Sequence, residues 1–273
     1  MTGLFAGVRC LLAVILAALV LLPPAQAQSL IFAFGDHNEA PFALVEGGQL
    51  KGGFALEFGK AVAARLGREA AFRYVPRNRI TAELQVGNVD AYCLAAQAYY
   101  PAFGPDRFTR SLFADHDIVL LSAGLRGEAD LSSLKGARVG AVLGFLYPPE
   151  VEAMFADGRA ERIDARNAEG NLRKLQGGRL DAVILPLAAW RQALARDPSV
   201  AGAVRPDTIR IARRERTCLI SPASTVTVAE MDEAIRSLTD DGTLPSLVRA
   251  MGLEPIGAAA PLSAATAQAP ARR

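Results

Sequence analysis

Histidine is scarce in this chain: 273 residues hold two, His37 and His116, far apart, which leaves a zinc site little to be built from. Long hydrophobic runs are missing too. The longest, Leu11–Leu22, has twelve apolar residues, whereas a membrane-spanning helix needs about 20. No sign of charge dominates: 30 basic and 28 acidic residues are mixed along the chain, for a net charge of +2. There is no basic run to meet a nucleic acid and no acidic tail. No cofactor is expected. Cysteine is limited to three residues; Cys10 falls within the N-terminal segment 1–27, just before the apolar run, which leaves Cys93 and Cys218 as one possible pair. In an oxidising compartment these two are a disulfide or two isolated buried thiols.

The N-terminus has an order that carries meaning. Arg9 precedes the apolar run, and "PPAQA" follows it, the layout of a signal peptide cleaved after Ala27. Residues 1–27 are therefore expected to direct export to the periplasm, leaving a monomer that starts at Gln28. The last stretch, "IGAAAPLSAATAQAPARR", is rich in Ala and Pro without hydrophobic period, and residues 256–273 are expected to be a disordered tail.

Between these ends one device occurs twice. "LQVGNVDA" at 84–91 is nearly repeated as "LQGGRLDA" at 175–182. Leu84 and Leu175 close an apolar helical stripe, and Gly87 and Gly178 stand where a helix stop needs a left-handed backbone. Asp90 and Asp181 can accept hydrogen bonds at the turn, and a short apolar strand follows each. The simplest explanation is one helix–strand unit used once in each of two similar lobes. Around these units strands alternate with helices, the pattern of sheets covered by helices. The aromatic loop "QAYYPAFGPDRFTRSLF" precedes a strand at Asp117–Ser122. The Gly- and charge-rich stretch after it predicts a first crossing between lobes. "IRIARRERTCLIS" reads as two short strands separated by charges and a second crossing. The expected division is lobe one at 28–123, lobe two at 124–214 and a return to lobe one at 215–255. Thr227 and Glu230 form a capping-box pattern that opens a helix on that return.

In this arrangement the sequence resembles the family 3 extracellular solute-binding proteins, the amino-acid-type receptors of ABC importers. The resemblance runs from about Leu30 to Gly252. It rests on "APF" at 40–42, "GGFALEFGKAVAARLG" with Glu57 where Asp is usual, "ITAELQVGNVDA", "LSSLKGARVGAVLG", "LQGGRLDAVI" and "MDEAIRSLTDDGTLPSLV". It implies an α/β, two-lobed periplasmic-binding-protein-like (type II) fold with two strand crossings. It also implies a periplasmic binding protein, not an enzyme, that clasps a small polar or anionic solute for an inner-membrane ABC permease. A dehydratase-like periplasmic enzyme of the same fold, for which Glu39 and His37 are available but form no spaced acid/base constellation, and an accessory sensory protein are the alternatives.

The resemblance places a carboxylate clamp at Arg107, six residues before Phe113. The usual small hydroxyl residues are replaced by Leu94, Ala95 and Gln97, the Gly-Thr-Thr turn by Gly144-Phe145-Leu146, and the Asp for an α-amino group by Pro186. A ligand ammonium would then lack its usual partner, a costly arrangement in a desolvated cleft. The other candidate ligand contacts are Asp36, Asn38 and Phe42 on the loop after the first strand, Arg77 and Arg79 before a helix, and Gln97, Tyr99 and Tyr147 on lobe-facing loops. Tyr100 and Phe103 could equally serve to pack their loop.

Overall fold

The computed structural model describes residues 28–35 and 37–256. The expected signal peptide, the tail beyond Ile256 and the candidate Asp36 lie outside the described residues. The first part of the chain forms β1 (Leu30–Phe34), β2 (Leu44–Glu46), β3 (Gln49–Gly52), α1 (Phe54–Arg65), β4 (Ala70–Tyr74), α2 (Ile80–Gln85), β5 (Ala91–Ala95) and β6 (Phe113–Ser122). Then follow β7 (Arg138–Val142), α3 (Pro149–Ala156), β8 (Glu161–Ala165), α4 (Ala168–Gln176), β9 (Ala182–Pro186), α5 (Leu187–Arg196), β10 (Val204–Ile220), α6 (Val228–Asp240), α7 (Thr243–Ala250) and β11 (Glu254–Pro255).

The strands lie in the order β4-β1-β5-β10-β6-β9-β7-β8. In one lobe β4, β1 and β5 are parallel and the end of β10 closes the row antiparallel. In the other, β8, β7 and β9 are parallel and β6 runs antiparallel beside β9. β6 and β10 are the two crossing strands, paired from Val204 opposite Ser122 to Arg216 opposite Phe113. The chain is thus a mixed α/β fold of two lobes joined by two strands.

Two details differ from the sequence reading. The predicted pair of short strands is one strand of 17 residues. Its charged residues do not interrupt it, because side chains alternate across a strand and the exposed ones face water while the ladder with β6 continues. Asp117–Leu121 already pair with β9, so the chain joins the second sheet inside β6, earlier than the stretch after Ser122.

The repeated device has the same structure in both lobes. Gly87 and Gly178 have φ of 75° and 66°, a backbone that glycine adopts without a Cβ clash. Asp90 accepts from Ile31 N at 2.8 Å, and Asp181 accepts from Arg138 N at 2.8 Å. Each carboxylate thus locks the strand that follows its helix onto the neighbouring parallel strand. The core of lobe one is aromatic, with Phe54, Phe58 and Phe113 fully buried beside Ile80 and Leu84. In lobe two the sheet has a core on each face: Val119 and Leu121 of β6 enter one, Ile118 and Leu120 the other. Burying one such side chain contributes about 1.5–3 kcal/mol. Thr227 and Glu230 form the capping box of α6. Cys93 and Cys218 are disulfide-bonded, tying β5 to β10 within lobe one.

Candidate ligand site between the lobes

Parallel strands direct their carboxyl ends, and the loops beyond them, to one edge of a sheet, where ligands of open α/β folds bind. Here the loops after β1, β5, β7 and β9 face one another across the cleft. The lobes touch there. Phe145 of lobe two lies against Tyr99 of lobe one, the rings tilted by 55° with centroids 4.7 Å apart, and packs on the cores of both lobes. Gly144, with φ of 73°, lies against Arg77 and Asn78; a Cβ there would stand 3.7 Å from Arg77 Cγ.

Two adjoining cavities of about 420 Å³ each open in the cleft, sharing His37, Phe42, Phe145 and Pro186. The first is cationic. Arg77 and Arg216 line it together with Asn38, Tyr92, Tyr99 and Tyr100, and no carboxylate belongs to its wall. The Arg77 guanidinium lies 4.8 Å from the Tyr100 ring centroid and 5.6 Å from that of Phe145, and it donates to the Tyr100 hydroxyl. Arg216 is only 7% exposed and has one long bond, to Leu94 O at 3.5 Å. Burial pulls its pKa down, but Asp117 and Asp115 nearby outweigh that and raise it, so the guanidinium stays charged. Asn38 Nδ2 donates to the Tyr92 hydroxyl at 2.8 Å while its Oδ1 accepts from Gly35 N. That loop is therefore fixed before any ligand arrives.

The second cavity is mainly apolar, walled by Val142, Tyr147, Ile184 and Ala189 besides the shared residues, with Glu39 and Asp117 at its edges. Asp117 Oδ2 accepts from Arg214 Nε at 2.8 Å and from the Tyr99 hydroxyl at 3.1 Å. Glu39, from lobe one, reaches the start of α4 in lobe two and accepts from Glu169 N at 2.7 Å. The Asn167 side chain takes the next free donor of that helix, Gly170 N. The first turn is thus capped from both lobes. Burial is the main reason that the Glu39 carboxyl is pushed up to about 7. His37, at the junction of the cavities, is held down to about 3 by burial and by Arg77, so it is a neutral imidazole. Its Nδ1 is buried without a hydrogen-bond partner.

Of the residues singled out from sequence, Asn38, Phe42, Arg77, Tyr99, Phe145, Tyr147 and Pro186 meet on these walls. Arg79, Gln97, Arg107 and Gly144 do not. Arg79 is exposed and paired with Glu83 at 2.8 Å, and Gln97 is exposed on a short turn. Arg107 ends another short turn, and the long aromatic loop carries it away from both cavities. The guanidinium that faces the cleft beside Arg77 is Arg216, from the second crossing. Reading "ARRERT" as a charged break between strands hid it. Taken as one strand, the alternation places Arg214 and Arg216 on the same face, and that was the available signal. Tyr92 and Asp117 reach the cavity walls from within β5 and β6, where the sequence pattern marks a strand but not which side chains meet the cleft.

No known family model matches the sequence, and no curated protein matches it. Solved structures do match. An ancestral arginine-binding protein bound to arginine superposes with a TM-score of 0.69 at 19% identity, covering 83% of this chain and 99% of its own. The chain has the fold of periplasmic binding proteins. A histidine kinase sensor domain with similarity to periplasmic binding proteins gives 0.66 at 15% identity, covering 84% of this chain and 99% of its own. The ancestral amino-acid-binding protein AncCDT-1, a precursor of cyclohexadienyl dehydratase, gives 0.64 at 18%, covering 82% and 94%. Among the described residues no helix is long and apolar enough to cross a membrane, and no cluster of side chains could hold a metal ion.

Proposed function

We propose that this chain is a solute-binding protein of the periplasm that clasps a small anionic solute between its lobes and delivers it to an ABC permease. The observation that carries the reading is the pair Arg77 and Arg216 on one interlobe cavity without a carboxylate on its wall. Two charged forks lining one cleft cavity call for an anion, and a guanidinium suits a carboxylate through paired N–H bonds. The fold supports the mechanism. A solute meets the guanidinium face of lobe one, then lobe two rotates about β6 and β10 and excludes water. A ligand that prefers the closed form shifts that equilibrium and raises stability, by about 2.7 kcal/mol at a hundredfold excess over its dissociation constant. Thermal shift of the mature chain against a panel of carboxylates and amino acids tests the reading. At least one acid should raise Tm in the wild type and fail to do so in Arg216→Ala. A panel without any stabilising anion would contradict it.

A dehydratase-like enzyme is the second reading, favoured by one observation. Glu39, with its carboxyl pushed up to about 7, can exchange a proton at neutral pH, and it lines the same apolar cavity as the neutral imidazole of His37. Turnover of prephenate-like acids by the purified protein, abolished in Glu39→Gln, would replace the carrier reading.

A further inference from the structure

The cleft also says which kind of anion it takes, an inference that rests on the anion-binding reading above. A zwitterionic amino acid needs a carboxylate free to meet its ammonium, and the cavity walls hold two: Asp117 and Glu39. Neither is free. Asp117, 2% exposed, already has one oxygen bonded to both Arg214 Nε and the Tyr99 hydroxyl. An ammonium added there would share one buried carboxylate with the Arg214 guanidinium, like charges side by side where water does not screen them. One Glu39 oxygen accepts across the lobes from the backbone N–H of Glu169 at the start of α4. To give that oxygen to a ligand it would have to release Glu169 N, leaving Asn167 as the side-chain cap of that helix. The residue across the ladder from Asp117 is Pro186, which offers no charge and no N–H. Neutral His37 completes the junction between the cavities.

The donors left for a ligand are therefore guanidinium N–H groups at one end, on Arg77 and on Arg216, which has one long bond although Asp115 and Asp117 stand near its charge. The other end is a wall of Val142, Tyr147, Ile184 and Ala189, with Phe145 between the two ends. We infer that the ligand is an amine-free carboxylate with an apolar body, its acidic head between Arg77 and Arg216 and its body against the lobe-two wall. The α-amino acid of the same side chain is the species that this arrangement rejects.

Matched acids test this on the mature chain by titration calorimetry: 3-phenylpropanoate against L-phenylalanine, and 4-methylpentanoate against L-leucine, with acetate as the headgroup alone. The amine-free member of at least one pair should bind tenfold or more tighter than its amino acid. It should also bind tighter than acetate, and Arg216→Ala should weaken it at least tenfold. An amino acid that binds as tightly as its amine-free partner, and that is lost in Arg216→Ala, overturns this inference and leaves the anion reading intact. Acetate binding as tightly as the longer acids overturns the apolar body. No heat from any acid, with or without an amine, overturns the inference together with the anion reading on which it rests.

Discussion

The two lobes are built on the same plan and face the cleft with opposite chemistry. Each has parallel strands, a helix ended by a left-handed glycine, and an Asp that locks the following strand to its neighbour. Yet the lobe-one face presents Arg77, Arg216, Asn38 and Tyr92, whereas lobe two contributes Val142, Phe145, Tyr147 and Ile184. The shared device fixes strand ends, and strand ends fix where loops stand; what the loops present is free to diverge. On the proposed function, lobe one supplies direction and charge, and lobe two supplies area and the exclusion of water. Recognition in the first lobe and closure by the second are then separable by mutation.

The largest effect is expected from Arg216→Ala. A buried charged partner of a carboxylate costs about 2–5 kcal/mol when truncated, so calorimetry should show affinity falling thirtyfold or more. The apo protein should also melt lower, because Asp115 and Asp117 lose a neighbouring positive charge. Arg216→Lys should recover part of the stability and less of the affinity, since it keeps the charge without the fork.

Phe145→Ala should come next. It removes the ring that packs on both cores and lies tilted against Tyr99, an aromatic pair of about 0.5–1.5 kcal/mol beyond its buried area. Affinity for acids with an apolar body should fall about tenfold, while acetate should be little affected. A Phe145→Ala protein that loses all anions equally would break the division between the lobes.

A smaller effect concerns pH. The Glu39 carboxyl is raised in the folded protein from 4.5 to about 7. A raised acid favours the folded form at low pH, and its contribution is lost as pH rises between about 4.5 and 7. Asp115, raised by burial to about 6, acts in the same sense, and His37, lowered to about 3, acts in the opposite one. Glu169 and Arg196 face Glu39 from lobe two and are unchanged by its replacement. Comparison with Glu39→Gln therefore isolates Glu39. The melting temperature of the variant relative to wild type should climb from pH 4.5 to pH 8, by on the order of 1 kcal/mol or 2–4 °C. A constant difference would show that the carboxyl is not confined in the cleft.

Arg107→Ala should have the smallest effect, within about 0.5 kcal/mol on both stability and binding, as for an ordinary surface change. A loss comparable to that of Arg216→Ala would move the anion site to the aromatic loop.

Much of the fold was legible because local signals agreed. Gly87 and Gly178, the Thr227–Glu230 box and the period of α1 all mark backbone states that nearest neighbours decide. The site was half legible. Phe42, Tyr99, Phe145 and Pro186 follow strand ends, and strand ends are visible in sequence. Arg216 and Asp117 were not legible, because they lie within the crossing strands. Which face of a crossing strand meets the cleft depends on the ladder between β6 and β10, a long-range pairing. Arg107 misled for the opposite reason: its distance from Phe113 in sequence says little about its place in space when a long irregular loop intervenes.

The division of labour between the lobes is tested most directly by titrating straight-chain monocarboxylates of increasing length into wild type, Arg216→Ala and Phe145→Ala. The loss in Arg216→Ala should be the same at every length, because every acid has the same head. The loss in Phe145→Ala should be near zero for acetate and grow with each added carbon. A loss in Arg216→Ala that grows with chain length, beside a uniform loss in Phe145→Ala, would contradict the account.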